Sequence, residues 1–345
     1  MKLETLDVLK IPYEIEYTDK LVSYLMRIAE CRPFFTENLS KPLKVSLLRN
    51  AKVRAITYSN QIEGNTLSET EVGKLISKKK KDLTVPEILE IQNYADALGY
   101  AEKLALNLRT IKISDFCDLQ RLITEGLIQK NQVGRLRTIT VSIVNSATNE
   151  QIDSCPEPHH LKSAVEDLWK WLDNSKEINP FVRAFAFHFI AVAVHPFADG
   201  NGRTCRLMQH HLLLQSGEEI VRYVPSETVI MNYRDDYYKA IRLTKKLGKL
   251  NPILEFLAFC FAEAAEGITK EAKAILKETE SSPQIRHGKI LALVKSKKEI
   301  KTKDVVLLFP KVPRRTLERD LETLCKNKML EAFGQNKARV YRLMM

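Results

Sequence analysis

Residues 195 to 206 read HPFADGNGRTCR, which brings a histidine, an aspartate, two glycines around an asparagine and two arginines into one short stretch. His195 is a candidate base, because an imidazole near its ordinary pKa accepts a proton at neutral pH. Asp199 offers the oxygen ligand that Mg²⁺ takes when phosphate oxygens complete its shell. Gly200 and Gly202 let successive backbone N–H groups converge, and Asn201 tolerates the same left-handed region. Such a nest at a helix start binds anions. Arg203 and Arg206 lie three apart on one side of the first turn. Two cations there oppose the helix dipole, a cost that makes sense if a polyphosphate sits between them. The set predicts a base beside the innermost phosphate of a magnesium nucleotide. It would act on a hydroxyl carried by another molecule.

Specific elements must hold these groups. Pro196 biases His195 away from helical geometry, so the run FVRAFAFHFIAVAV, residues 181 to 194, should end there with the ring free at the mouth of a loop. That run is too short to span a bilayer and contains Arg183 and His188, so it reads as a buried helix. A second helix should start at about Arg203 and run through RTCRLMQHHLLLQ. Phe197, a large apolar residue in a polar loop, needs a pocket. Helical spacing recurs through most of residues 1 to 275 and predicts a mainly α body. The β-branched TITVSIV, residues 138 to 144, predicts a short hairpin after the Gly134 turn and before the loop NSATNE. SNQIEGN, residues 59 to 65, closes a helix at Gly64, and TLSE, residues 66 to 69, offers a capping box for the next one. Glu63 then carries negative charge at a helix C-terminus and should want a cation.

A chain of 345 residues has room for two domains. Residues 283 to 345 hold sixteen of the 54 Lys and Arg but six of the 43 Asp and Glu, so almost all of the net charge of +11 lies there. Helices over about 285 to 296, 301 to 308 and 313 to 327, a turn at Pro310 and Pro313, then MLEAF, a Gly334–Gln335–Asn336 turn and ARVYRLM predict a winged helix with two strands. On its third helix Arg315 and Arg319 are neighbours, with Arg314 and Lys326 beside them, the footprint expected of a groove-reading helix, although winged helices also mediate protein contacts. The polar, Pro-marked KETESSPQI, residues 277 to 285, predicts the boundary. KKKK, residues 78 to 81, reads as a solvated loop. The six cysteines lack C-x-x-C spacing and read as reduced thiols. CPEPHH has no partner to complete a zinc site, and His210 and His211 point to different helix faces. The first residues lack a signal-peptide core, which predicts a cytoplasmic protein without a membrane segment.

HPFADGNGRTCR matches, at every defined position, the HPFx[D/E]GNGRxxR signature of Fic-domain proteins. The resemblance extends weakly over roughly residues 50 to 245, through EILEIQNYADALGY, GRLRTITVSI and NYRDDYYKAI. It implies a helical Fic domain over 101–276 and a helical region over 1–100 with an inhibitory helix near 50–64, ahead of the winged helix that the tail pattern predicts over 283–345. It implies a protein adenylyltransferase that moves AMP from ATP to a Ser, Thr or Tyr hydroxyl of a target protein or itself. His195 would be the base and Asp199 the Mg²⁺ ligand. Gly200, Asn201 and Gly202 would cradle phosphates, with Arg203 and Arg206 on the outer ones. Thr138, Ile139, Thr140, Val141, Ser142 and Ile143 would form a flap that aligns a target strand. Tyr237 or Tyr238 would flank the nucleoside. Ser59, Glu63 and Gly64 fit the family's [S/T]xxxE[G/N] inhibitory motif, in which Glu63 pairs with Arg206 and blocks the γ-phosphate. In some members that glutamate also serves AMP removal, and dimers are common. The competing readings are a nucleotide-sensing DNA-binding regulator without transfer, and transfer of phosphate or phosphocholine.

Overall fold

The computed structural model describes residues 14–344 apart from 38, 40, 78–83, 108, 145–150, 311 and 335–338. The KKKK run, the NSATNE loop, and Gln335 and Asn336 of the tail turn therefore lie outside the described residues. The chain divides into two units, Met1–Ile268 and Thr269–Met345.

The first unit is mainly helical. In chain order it runs α1 (Asp19–Glu37), α2 (Lys41–Ile62), α3 (Glu69–Leu75), α4 (Pro86–Leu106) and α5 (Ile113–Thr124). The hairpin strands β1 (Ser142–Val144) and β2 (Gln151–Ser154) follow, then α6 (Leu161–Asn174), α7 (Pro180–Val194), α8 (Asn201–Gln215), α9 (Glu227–Asn232), α10 (Arg234–Leu247) and α11 (Asn251–Ser281). The division between the units falls inside α11 rather than in the polar stretch at 277 to 285, because that stretch stays helical to Ser281.

α7 is the core of the unit. Pro180 opens it, and Asn179 caps it by accepting from the N–H groups of Phe181 at 3.0 Å and Val182 at 3.4 Å. Every residue from Phe181 to Val194 is buried except Arg183, whose guanidinium donates to the Leu172 carbonyl at 2.8 Å. Each large apolar side chain placed here contributes roughly 2 kcal/mol. α7 packs along α8, which in turn packs on α4 and α5. The loop joining α7 to α8 is thus fixed from both sides. Phe197, at the middle of that loop, is fully buried with its ring 5.0 Å from Phe116.

Two local expectations are corrected. The capping box of α3 is Ser68 with Glu71, not Thr66 with Glu69. Glu69 instead accepts from the Tyr58 hydroxyl at 2.7 Å, and Ser68 is the N-cap that opens the helix. The strand predicted over 138 to 144 forms only from Ser142, where Ser142 pairs with Ser154 and Ile143 with Asp153. Residues 138 to 141 are irregular, and the Ile139 carbonyl accepts from Arg137 Nη1 at 2.8 Å rather than from a ladder partner.

The second unit contains α12 (Pro283–Lys297), β3 (Glu299–Lys301), α13 (Thr302–Leu308), α14 (Arg314–Lys326), β4 (Leu330–Phe333) and β5 (Val340–Leu343). Its antiparallel sheet has three strands in the order β3-β5-β4, one more than the sequence suggested. β3 is only three residues, Glu299–Lys301, too short a polar–apolar–polar run to be read as a strand from sequence. Ile290, Val294, Leu317, Leu321 and Leu324 form the core, and Arg286 Nη2 meets Asp320 Oδ1 at 3.0 Å within it. Among the described residues no helix is long and apolar enough to cross a membrane.

Candidate active site

His195 ends α7 in a left-handed conformation, φ 51° and ψ 60°, uncommon for a residue with a Cβ and costing on the order of 1 kcal/mol. Its N–H still donates to the Ala191 carbonyl at 3.0 Å, and its own carbonyl accepts from Arg137 Nε at 2.7 Å. The ring is half-buried rather than free. Burial pushes the imidazole down to about 4, against a backbone hydrogen bond at Val192, with Arg137 adding to the depression and Glu63 opposing it. The expectation of an unperturbed histidine is corrected: desolvation disfavours its cation, so the ring is neutral at physiological pH.

The loop closes around Phe197. Asn201 Oδ1 accepts from the Phe197 N–H at 2.9 Å and Asn201 Nδ2 donates to the Phe197 carbonyl at 2.8 Å. α8 begins at Asn201, two residues before the predicted start, with Gly200 as its left-handed N-cap at φ 79°. Asn201 and Gly202 are therefore first-turn helical residues, and the left-handed role falls to Gly200 alone of the three. Gly202 is needed for a different reason. A Cβ there would lie 3.1 Å from Arg206 Nη1 and 3.2 Å from Glu63 Cδ, and would collide with Glu63 Oε1. The Glu63 carboxylate lies directly against the first turn of α8.

The two arginines diverge instead of flanking one space. Arg206, 2% exposed, donates from Nε to Ser59 Oγ, and from Nη2 to both the Ser59 carbonyl and Glu63 Oε1, each at 2.8 Å. Arg203, 4% exposed, donates from Nη1 to Glu90 Oε1 at 3.1 Å and approaches Asp199 Oδ2 at 3.5 Å. Burial alone would raise the Glu63 carboxyl, but the charges of Arg206 and Arg203 and the Arg206 hydrogen bond hold it below the usual carboxylate value. Burial works against the Arg206 cation too, and Glu63 outweighs it. Sequence reasoning missed Glu90 and Asn65. Asn65 Nδ2 donates to the second Glu90 oxygen at 2.8 Å, so the turn after Glu63 also reaches the carboxylate that holds Arg203. Asn65 adjoins the IEGN motif and could have been noticed; Glu90 sits between buried Leu89 and Ile91 with no spacing signal of its own.

Asp199 is 52% exposed at the loop edge, with Oδ1 accepting from the Gly200 N–H at 2.6 Å. Among the described residues no group of three or more His, Cys, Asp or Glu is placed to hold a metal. A single open carboxylate beside an anion nest fits Mg²⁺ arriving with phosphates, and does not fit a cage built from protein alone. Tyr237 is buried, its hydroxyl 2.8 Å from His188 Nε2, so it faces the core. Tyr238 is half-buried, with the Arg234 guanidinium 5.8 Å from its ring centre. On the flap, Thr138, Ile139 and Thr140 are exposed and Val141 is half-buried. Ser142 and Ile143 continue into β1. The six cysteines are free, and His211 is buried with Nδ1 3.1 Å from the Ala101 carbonyl.

Residues 110–213 match the Fic/DOC family. A protein adenylyltransferase Fic from Nematostella vectensis is 27% identical over 229 residues, which cover 64% of this chain and 49% of that protein. The chain thus spans about half the length of that curated relative. The crystal structure of a Fic family protein from Desulfovibrio desulfuricans G20 aligns with a TM-score of 0.67 at 25% identity, over 96% of this chain and 98% of that one. Fic-1 (residues 134–508) from C. elegans aligns with a TM-score of 0.59 at 23% identity, over 75% and 73% of the two chains, a likeness of fold.

Proposed function

We propose that this chain, which carries a Fic domain over residues 110–213, is a protein adenylyltransferase that moves AMP from ATP to a Ser, Thr or Tyr hydroxyl of a target protein or of itself. The observation that carries the reading is the Glu63 carboxylate lying against Gly202 in the first turn of α8 and bonded to Arg206 at 2.8 Å. An internal anion lies against the N-terminal turn where a phosphate oxygen would bind, which supports reading that turn as an anion site. Autoinhibition follows: Glu63 and an outer phosphate of ATP compete for Arg206.

In the reaction the target hydroxyl oxygen attacks the α-phosphorus, the bond to the bridging oxygen of the β-phosphate breaks, and pyrophosphate leaves. His195 takes the hydroxyl proton. Its low pKa keeps it deprotonated before the reaction, and the negative charge of a bound triphosphate draws that pKa upward toward a better base. Gly200, Asn201 and Gly202 cradle phosphates at the start of α8, and Arg206 binds the outer one once Glu63 withdraws. Arg203, tied to Glu90, holds the loop side. Asp199 would hold the Mg²⁺ that neutralises phosphate charge. Tyr238, half-buried where Tyr237 faces the core, would flank the nucleoside. Residues 138 to 143 align the target by strand addition. The same Glu63 could serve AMP removal. Free thiols throughout are consistent with a cytoplasmic setting.

A second reading concerns the second unit alone. Arg314, Arg315, Arg319 and Lys326 are all exposed on α14, backed by a three-stranded sheet, and this supports a winged helix that binds DNA through phosphate contacts.

The test is ATP labelled at the α or the γ position, given with Mg²⁺ to the wild-type, Glu63→Gly and Glu63→Gly/His195→Ala proteins. The reading expects α-label on protein in Glu63→Gly and none in the double variant. Label from the γ position would mean phosphate transfer. Reversible binding without transfer would mean a sensor.

A further inference from the structure

Arg137 is buried, although it sits in the irregular stretch leading into an exposed flap. Its guanidinium donates to three backbone carbonyls: His195 at 2.7 Å from Nε, Ile139 at 2.8 Å from Nη1, and Pro156 at 2.6 Å from Nη2. Its own N–H donates to the Pro196 carbonyl at 2.9 Å. Ile139 and Pro156 lie at the two ends of the β1–β2 hairpin, and His195–Pro196 is the peptide that aims the proposed base. One side chain therefore joins both feet of the flap to the catalytic loop.

Among the described residues these hydrogen bonds go to neutral carbonyls and none to a carboxylate. Glu157 acts on Arg137 only through space. Burying a cation on uncharged acceptors is costly, and burial lowers its pKa accordingly. A geometric role accounts for an arginine at this place. The planar fork of arginine can reach three divergent carbonyls at once, which the single ammonium of lysine cannot do with the same precision of direction.

Resting on the proposed transfer reaction, we infer that Arg137 is a positioning residue that couples the seating of the flap to the aim of the His195 imidazole. It pins the left-handed His195 backbone from the carbonyl side while the Ala191 hydrogen bond pins it from the amide side. It also places a fixed positive charge near the ring. The other charges acting on that ring are Lys245, in the same sense, and Glu63, in the opposite one.

The experiment compares Arg137→Lys and Arg137→Gln in the full-length Glu63→Gly protein. Both should lower kcat at least about tenfold, since small misplacements of a base cost that much or more. The KM for ATP should change less than about twofold, because Arg137 does not touch the α8 turn where ATP is proposed to bind. Arg137→Gln should also move the acid limb of the pH–rate profile to higher pH, while Arg137→Lys, which keeps the charge, should leave the limb in place. Histidine NMR titration of the same proteins reads the His195 shift without any turnover, so a Glu63→Gly protein that transfers nothing would sink the proposed function and leave this inference still testable. Wild-type kcat in Arg137→Lys, or a His195 titration unmoved in folded Arg137→Gln, would overturn it.

Discussion

At the start of α8, Arg203 and Arg206 are buried and each is held by a carboxylate, Glu90 and Glu63. At the start of α14, Arg314 and Arg315 are exposed, Arg319 follows on the same face, and Arg314 pairs with Glu318, one turn away, at 2.8 Å. The residue type and the helix position are alike, and the physics is opposite. Buried guanidinium groups are fixed in direction, poorly screened by salt, and can demand one ligand geometry. Exposed ones are free to meet any phosphate and answer mainly to ionic strength. On the proposed reading the first unit discriminates among ligands and the second adheres to phosphate.

Five outcomes would sharpen or break that contrast. The largest is His195→Ala, which should cost AMP transfer roughly 10²–10⁴-fold, the usual worth of a positioned base, measured by α-label incorporation. Next is Glu63→Gly, which should raise transfer on the order of 10–100-fold by removing the internal competitor; an unchanged rate under ATP and Mg²⁺ would refute self-inhibition. Third, Arg315→Ala with Arg319→Ala should weaken duplex DNA binding and reduce the salt slope by about one per lost phosphate contact, without altering AMP transfer. Binding that ignores salt would contradict the reading of α14 as an adhesive surface.

The smallest effects are with pH, and all of them appear as the pH falls. Glu63 has a depressed folded pKa, so the stability its pair contributes is present above the unfolded carboxylate pKa and is lost only as pH falls through the lower folded value. The ratio of Glu63→Gly to wild-type rate should thus stay flat between about pH 6 and 8. Desolvation pushes buried His188 down to about 3, and buried His211 and half-buried His195 down to about 4. Their contribution is complete above the unfolded histidine pKa, near 6.5, and declines as pH falls from there toward those folded values. Thermal melting should show Tm dropping across that acidic window, and a flat Tm would mean these rings are hydrated.

Much of the first unit was legible because its signals are local. Pro196 stops α7, Phe197 needs a pocket, and Gly64, at φ 108°, terminates the α2 turn. Glu63 was legible as a carboxylate at the wrong end of a helix. Other features were not, because they arise from partners distant in sequence. The pairing of Arg203 with Glu90 spans 113 positions, and the Arg137 contact with the His195 carbonyl spans 58. The depressed pKa of His195 is a property of its surroundings, so residue type pointed the wrong way. Gly202 was read as a turn residue when its role is to leave room for a carboxylate.

The central claim is that Glu63 and the outer phosphate of ATP use the same first turn of α8, with His195 beside the α-phosphate. A crystal structure of the Glu63→Gly protein with ATP and Mg²⁺ tests it most directly. The account predicts phosphate oxygens on the Gly200–Gly202 amides and Arg206, with the imidazole within hydrogen-bond reach, about 3 Å, of a hydroxyl in line with the α-phosphorus. Triphosphate bound away from that turn, or a ring directed into the core, would contradict it.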